Sequence, residues 1–295
     1  MTPLKVTITI TVSILLLAAI NLSAQEQKTT NVQEAAIWAP DNIKVDGKLN
    51  EWNDFQALNK ATQVYYTLAN DGKNLYLAIR SVNLNTANKI VAGGINLTIN
   101  ATGKKSDKDA VVITFPTSNL GSLRNQIAPA VRQAGDAGRQ QIDTELVAAV
   151  HKAAIDAAKE IKVRGIKEIT DTVISVYNEY GVKAVINYNT KGNLTYELAI
   201  PLKYLQLQDG VPFAYNLKLN GIGGNNNSMP GGATFSSGLA NGAVTDIDRN
   251  ATNYSAGGGG AFTSAVGGTR PSDMIDLQTM MNPTDFWGKY TLAKK

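Results

Sequence analysis

Alternation of apolar and polar positions organises most of the chain. Gln63-Val-Tyr-Tyr-Thr-Leu68 and Asn74-Leu-Tyr-Leu-Ala-Ile-Arg80 flank Asn70-Asp71-Gly72, and period-two patterning around an Asp-Gly turn predicts a β-hairpin. Val64, Tyr66 and Leu68 share one face, as do Leu75, Leu77 and Ile79. Tyr65 and Tyr76 therefore point to the opposite side. Ile95-Asn-Leu-Thr-Ile-Asn100 and Ala110-Val-Val-Ile-Thr-Phe115 alternate across a charged turn, Thr102 to Asp109, and the second run ends at Pro116. Further on, Thr172–Tyr177, Val182–Tyr188, Leu194–Ile200 and Phe213–Leu219 repeat the pattern, with Asn189-Thr-Lys-Gly-Asn193 as a second hairpin turn. Pro283 to Leu292 supplies a closing strand.

Two stretches break this pattern. From Ser118 to Gly165 β-branched runs give way to Ala, Gln, Arg and Lys, and Ile142, Leu146, Val150, Ala154, Ala158 and Ile161 recur at helical spacing. Residues 118–165 thus predict a helical insert, with Asp143 or Thr144 as N-cap, Gly165 as its stop, and a poorer helix ahead of it broken by Pro129, Gly135 and Gly138. The segment is rich in alanine around this stripe, which suits a helix lying on a sheet or an arm that contacts a protein partner. Residues 221–268 are rich in Gly, Asn, Ser and Ala; such a stretch buries little apolar area and predicts a long surface loop.

Ahead of the first hairpin, Ala35-Ala-Ile-Trp-Ala39 before Pro40 predicts an edge strand. Ile43-Lys-Val-Asp-Gly-Lys-Leu-Asn-Glu-Trp52 then predicts a short strand, a tight Asp46-Gly47 turn and a large aromatic. The first 24 residues have a short basic start, an apolar run interrupted by threonines and a Leu-Ser-Ala ending, as in a cleavable secretory signal peptide. The apolar part is shorter than the ~20 residues a spanning helix needs, and nothing later predicts a membrane span. No cysteine follows Ala24 to carry a lipid, so the expected location is secreted or periplasmic. Residues 25–34 read as a mobile lead-in, and 35–295 as one β domain.

Composition narrows the chemistry. The chain has no cysteine, which excludes disulfides and thiolate metal sites, and one histidine, which excludes a His-rich cluster. Without Lys5 of the leader, 27 basic side chains face 24 acidic ones, a net charge of +3. The basic residues are scattered rather than banded, which gives no support for nucleic-acid binding. His151 lies in the alanine-rich helix and reads as a surface residue; no Gly-x-Ser-x-Gly elbow exists to serve a hydrolase triad. Gly257 to Gly260 lacks the Lys-Ser/Thr or helix start of a phosphate cradle and reads as flexible loop. Asp46, Glu51, Asp54 and Asp71 are turn carboxylates without a contiguous calcium-loop pattern.

Four separated pieces, in order, carry a family resemblance. Val45-Asp-Gly-Lys-Leu-Asn-Glu-Trp52, Asp71-Gly-Lys-Asn-Leu-Tyr-Leu-Ala-Ile-Arg80, Tyr196-Glu-Leu-Ala-Ile-Pro201 and Phe286-Trp-Gly-Lys-Tyr-Thr-Leu292 together resemble the family 9 carbohydrate-binding modules. The resemblance implies a non-catalytic β-sandwich that binds sugar between aromatic side chains and often carries structural calcium. In Gly94-Ile-Asn-Leu-Thr-Ile-Asn100, Asn96 and Asn100 stand where sugar-binding members carry carboxylates, with no tryptophan ahead of them. Met280 and Met281 stand where a second binding aromatic would lie.

The expected fold is therefore mainly β, an antiparallel β-sandwich of jelly-roll or immunoglobulin-like type with a helical insertion. The expected function is secreted, non-catalytic binding of an oligo- or polysaccharide, in the service of polysaccharide breakdown. Candidate ligand-binding residues are Trp52, Tyr65, Tyr76, Arg80, Asn96 and Asn100. Trp52 and the tyrosines stand either as stacking platforms or as packing residues, and Arg80 either grips sugar hydroxyls or pairs with a carboxylate. The alternatives are an envelope interaction protein that has lost sugar binding and, more remotely, a glycoside hydrolase.

Overall fold

The computed structural model describes residues 29–52, 54–117, 144–221 and 282–295. Expectations for the leader, residues 25–28 of the lead-in, the 118–143 part of the insert, the loop from 222 to 268, and Met280 and Met281 lie outside them. Among the described residues eleven strands and two α-helices follow in the order β1 (Ala57–Asn59), β2 (Val64–Asn70), β3 (Asn74–Ser81), α1 (Leu84–Gly93), β4 (Ile95–Asn100), β5 (Val111–Phe115), α2 (Thr144–Ala157), β6 (Glu160–Arg164), β7 (Val173–Ser175), β8 (Lys183–Tyr188), β9 (Leu194–Pro201), β10 (Phe213–Leu219) and β11 (Thr284–Tyr290). They build a five-stranded sheet, β1-β2-β3-β9-β8, and a six-stranded sheet, β11-β10-β4-β5-β6-β7. Every pairing between these strands is antiparallel. The fold is mainly β, two antiparallel sheets sharing one core, as the alternation predicts.

The inward rows are those read from the sequence. Val64, Tyr66, Leu68, Leu75, Leu77 and Ile79 meet Leu97, Ile113, Phe115 and Tyr215 of the other sheet in one buried cluster. Full burial of such a side chain stabilises by about 1.5–3 kcal/mol, so these rows decide which face of each strand turns inward. Within the core the Tyr66 and Tyr215 hydroxyls lie 2.9 Å apart, and the Gln33 backbone N–H donates to Tyr66 at 2.8 Å. Strand β1 is too short to pair all of β2. The Gln33 side-chain amide takes its place beyond that, accepting from Leu68 N–H at 2.7 Å and donating to Leu68 C=O at 2.7 Å.

Several expectations are corrected. The helical insert does not reach Gly165: α2 ends at Ala157 and residues 160–164 form β6. Ile161 and Val163 are core residues of that strand, because the locally alternating Glu-Ile-Lys-Val-Arg overrides the longer helical spacing. Gly165, with φ +85°, follows a strand rather than a helix. Ala35 to Ala39 forms no edge strand, only a single bridge between Trp38 and Asn70. Ile43–Trp52 keeps its Asp46-Gly47 bend but contains no strand.

Helix α1 had no expectation, since it is one short segment with two interior asparagines. Its signal is the cap: Asn83 Oδ1 accepts from Thr86 N–H at 2.9 Å. Helix α2 lies on the five-stranded sheet, packing against β8. Val150, Ala153 and Ala154 meet Tyr188 and Val91, and the His151 ring stacks on Tyr188 with centroids 3.5 Å apart and planes 5° from parallel. His151 is thus half-buried rather than a surface residue, and burial lowers its pKa. No helix among the described residues is long and apolar enough to cross a membrane.

Candidate functional site

The outer face of the five-stranded sheet is covered by the chain ahead of β1. Ala69, Ala78 and Ala199 occupy its middle, and their small side chains let the segment lie close. Ile37, Ala39, Ile43, Val45, Leu49 and Trp52 pack there in a second apolar cluster that includes Tyr76. Glu197 fastens the segment. Its Oε2 accepts from Asp46 N–H at 2.9 Å and Gly47 N–H at 2.6 Å, and its Oε1 accepts from the Trp52 indole N–H at 2.8 Å. Thr195 Oγ1 donates to Gly47 C=O at 2.6 Å. Gly47 needs to be glycine on two grounds: φ is +80°, and a Cβ would come 2.8 Å from Asn187 Cβ. Burial raises the Glu197 pKa, and the three donors oppose that without cancelling it.

Beside this latch the covering segment leaves part of the face open. One row across β2, β3 and β9 reads Tyr65, Arg80, Thr195, fixed by the register Tyr65↔Arg80 and Arg80↔Thr195. Phe55, just ahead of β1, closes the row from above. The Arg80 guanidinium carbon lies 4.6 Å from the Tyr65 ring centroid and 5.0 Å from that of Phe55, whose rings are 6.0 Å apart. Cation–π contact of this kind stabilises by about 0.5–2 kcal/mol and holds the guanidinium in one place. Around the row lies a groove of about 320 Å³, with Trp52 and Leu49 in its wall, Asn189 and Thr195 on one side, and Lys48 and Asp54 at the rim. That volume is at the low end of the ~300–1,000 Å³ range of small-molecule sites.

The six candidate residues separate. Trp52, Tyr65 and Arg80 come together in the groove. Trp52 is only 8% exposed and latched to Glu197, so it is a wall rather than an open platform. Tyr76 is buried in the second cluster, not exposed on the sheet. Its hydroxyl donates to Asp71 Oδ2 at 2.8 Å and accepts from Asn74 Nδ2 at 3.1 Å. Burial and the Asp71 bond push the phenol up to about 12. Asp71 also accepts from the Lys73 and Asn74 N–H groups at 2.6 and 2.7 Å. Burial raises its pKa, but these donors with Tyr76 outweigh that and leave it lowered.

Asn96 and Asn100 belong to β4 in the other sheet, away from the groove. Asn96 Oδ1 accepts from Asn220 Nδ2 at 2.7 Å. Asn100 is buried and shapes its own turn, accepting from Thr102 N–H and Oγ1 at 3.0 and 2.7 Å and donating to Ser106 C=O at 2.8 Å. Trp287 is half-buried on β11. Phe55, Asn189, Thr195 and Glu197 are the contributors that sequence reasoning missed. Counting back from the Asp-Gly turn sets Tyr65 opposite Arg80, so that much of the row was available from the hairpin alone. Phe55 carried no such signal.

Among the described residues no group of three or more His, Cys, Asp or Glu side chains is placed to hold a metal ion. Comparison with protein-family models, curated proteins and solved structures gives no match to this chain. The likeness to family 9 carbohydrate-binding modules therefore rests on the four motifs, two of which, Val45–Trp52 and Tyr196–Pro201, are the partners joined through Glu197.

Proposed function

We propose that this chain is a secreted, non-catalytic carbohydrate-binding protein that holds a small saccharide in the Tyr65–Arg80 groove. The observation that carries this is the groove's mixed wall: two aromatic rings and an arginine fork beside amide and hydroxyl groups. A pyranose presents C–H groups on its faces and hydroxyls at its rim, and this lining suits both. Asn189 Oδ1 is engaged by the Lys191 and Asn193 N–H groups at 2.9 and 3.0 Å, which directs its Nδ2 group to donate. The Thr195 hydroxyl is spent on Gly47 C=O beneath the covering segment, which leaves Asn189 as the amide facing the groove.

Isothermal titration against soluble oligosaccharides tests the proposal. Binding that weakens in Phe55→Ala and Tyr65→Ala is expected; no heat at millimolar sugar with any of a broad panel would remove it. The burial of Trp52 and the placement of Asn96 and Asn100 in the other sheet favour a second reading, an envelope interaction protein. A pull-down comparing the full chain with a chain lacking residues 118–157 tests it. The deletion has to stop short of β6, whose loss would unpair the six-stranded sheet.

A further inference from the structure

The Arg80 guanidinium in the groove makes no ion pair among the described residues. Among the described residues the ion pairs are Lys48–Asp46, Lys152–Asp156, Arg164–Asp107 and Lys295–Asp41. Arg80 is in none of them, although Asp54 lines the same groove. Its guanidinium is instead held against the Tyr65 and Phe55 rings, 4.6 and 5.0 Å from their centroids. The N–H groups that are not turned towards the two rings remain for a planar, bidentate acceptor. A neutral hydroxyl does not make full use of that fork; a carboxylate does. Lys48 at the rim is 63% exposed and paired with Asp46 at 3.8 Å, so among the groove's cations Arg80 is the one without a paired carboxylate among the described residues.

Resting on the saccharide reading above, we propose that the groove selects an acidic sugar, a uronic acid residue whose carboxylate is gripped by Arg80. The ring surface of Phe55 and Tyr65 not covered by Arg80 meets the C–H groups of the sugar, and Asn189 meets its hydroxyls. The cation is preorganised by its stacking, so little side-chain freedom is lost when the ligand arrives.

The test uses the full-length protein and three probes by isothermal titration: short uronate oligosaccharides (oligogalacturonide, oligoalginate, glucuronoxylan fragments), the methyl esters of the oligogalacturonides, and a polyglutamate peptide. A charge-assisted bidentate contact predicts that at least one uronate binds, and that esterifying a uronate that binds weakens it roughly tenfold to a hundredfold. Arg80→Gln should erase the difference between acid and ester, and Arg80→Lys should retain part of it. Thermal melts of both variants establish that they are folded. If neutral oligosaccharides or esters bind as tightly as the acids, the acidic preference is overturned while saccharide binding stands. If polyglutamate binds as well as the uronates, the site reads bare negative charge and the proposal is overturned. If no saccharide binds at all, both this proposal and the saccharide reading fall.

Discussion

Replacing Glu197 by Gln tests whether the covering segment is held by one carboxylate. In the native protein both oxygens are used, Oε2 by the Asp46 and Gly47 N–H groups and Oε1 by the Trp52 indole. A glutamine keeps the size but has one acceptor, and its amide N–H₂ must face either the indole N–H or the backbone pair. Keeping the backbone pair strands the indole donor. A buried donor without a partner costs about 1–3 kcal/mol, and relief from burying a charge offsets part of it. The expected loss is therefore about 1–2 kcal/mol, a fall in Tm of roughly 2–8 °C for a chain of this size.

Trp52→Phe removes the same bond from the other side, so the double variant should lose less than the two single losses combined. The pH dependence supplies an independent check. Because burial raises the Glu197 pKa in the folded state, the folded chain holds a proton that the unfolded chain has released just above the ordinary glutamate range. Wild-type stability then falls as pH rises from that range through the raised value, and the glutamine variant lacks this component. Thermal and urea unfolding between pH 4 and 8 read both effects. An E197Q protein with unchanged Tm, or Trp52 and Glu197 substitutions that add fully, would refute the latch.

Three other substitutions follow from local geometry. Gly288→Ala sets a Cβ about 2.3 Å from the Tyr215 ring; overpacking of this kind costs about 1–3 kcal/mol, and urea unfolding of the variant reads it. Acidification should weaken the docking of α2, because burial lowers the His151 pKa and protonation therefore favours the unfolded state. Stability is present above the ordinary histidine value and is lost as pH falls through it towards the folded one, whereas His151→Phe keeps a ring on Tyr188 and removes that loss; thermal melts at pH 5 and 7.5 distinguish the two. Asp71→Asn should weaken the β2–β3 hairpin by about 1 kcal/mol. Since the Asp71 pKa is lowered, the wild-type advantage should persist above the ordinary aspartate range and vanish as pH falls through the folded value, as measured by acid titration of both proteins.

The β2–β3 hairpin was legible with its inward rows although both of its faces are buried, because the large apolar side chains keep one phase while the other carries Tyr65, Thr67, Ala69 and Ala78. The Ile43–Val45 alternation misled because its apolar side chains pack across a sheet face, not within a ladder. Residues 158–165 misled in the opposite sense, since alanines and an isoleucine at helical spacing continued past the point where pairing with β5 and β7 takes over. In the groove, Tyr65 and Arg80 were legible from side-chain phase, because a hairpin register is local. Asn189, Thr195, Phe55 and Glu197 were not, because their meeting depends on how β8, β9 and the segment before β1 come together over a distance of more than a hundred residues.

The alanines at 69, 78 and 199 make the five-stranded sheet a wall shared by two apolar layers. The outer layer is the thinner, and it carries Lys48, Leu49, Trp52 and Phe55 into the groove. Local opening of that layer would leave the inner core folded while dismantling half the groove. Occupancy of the groove and closure of the segment are then linked equilibria: apparent affinity scales with the fraction of molecules in which the segment is closed. A ligand should slow amide hydrogen exchange at Asp46 and Gly47, beneath the Glu197 latch, while leaving exchange in β4 and β5 unchanged.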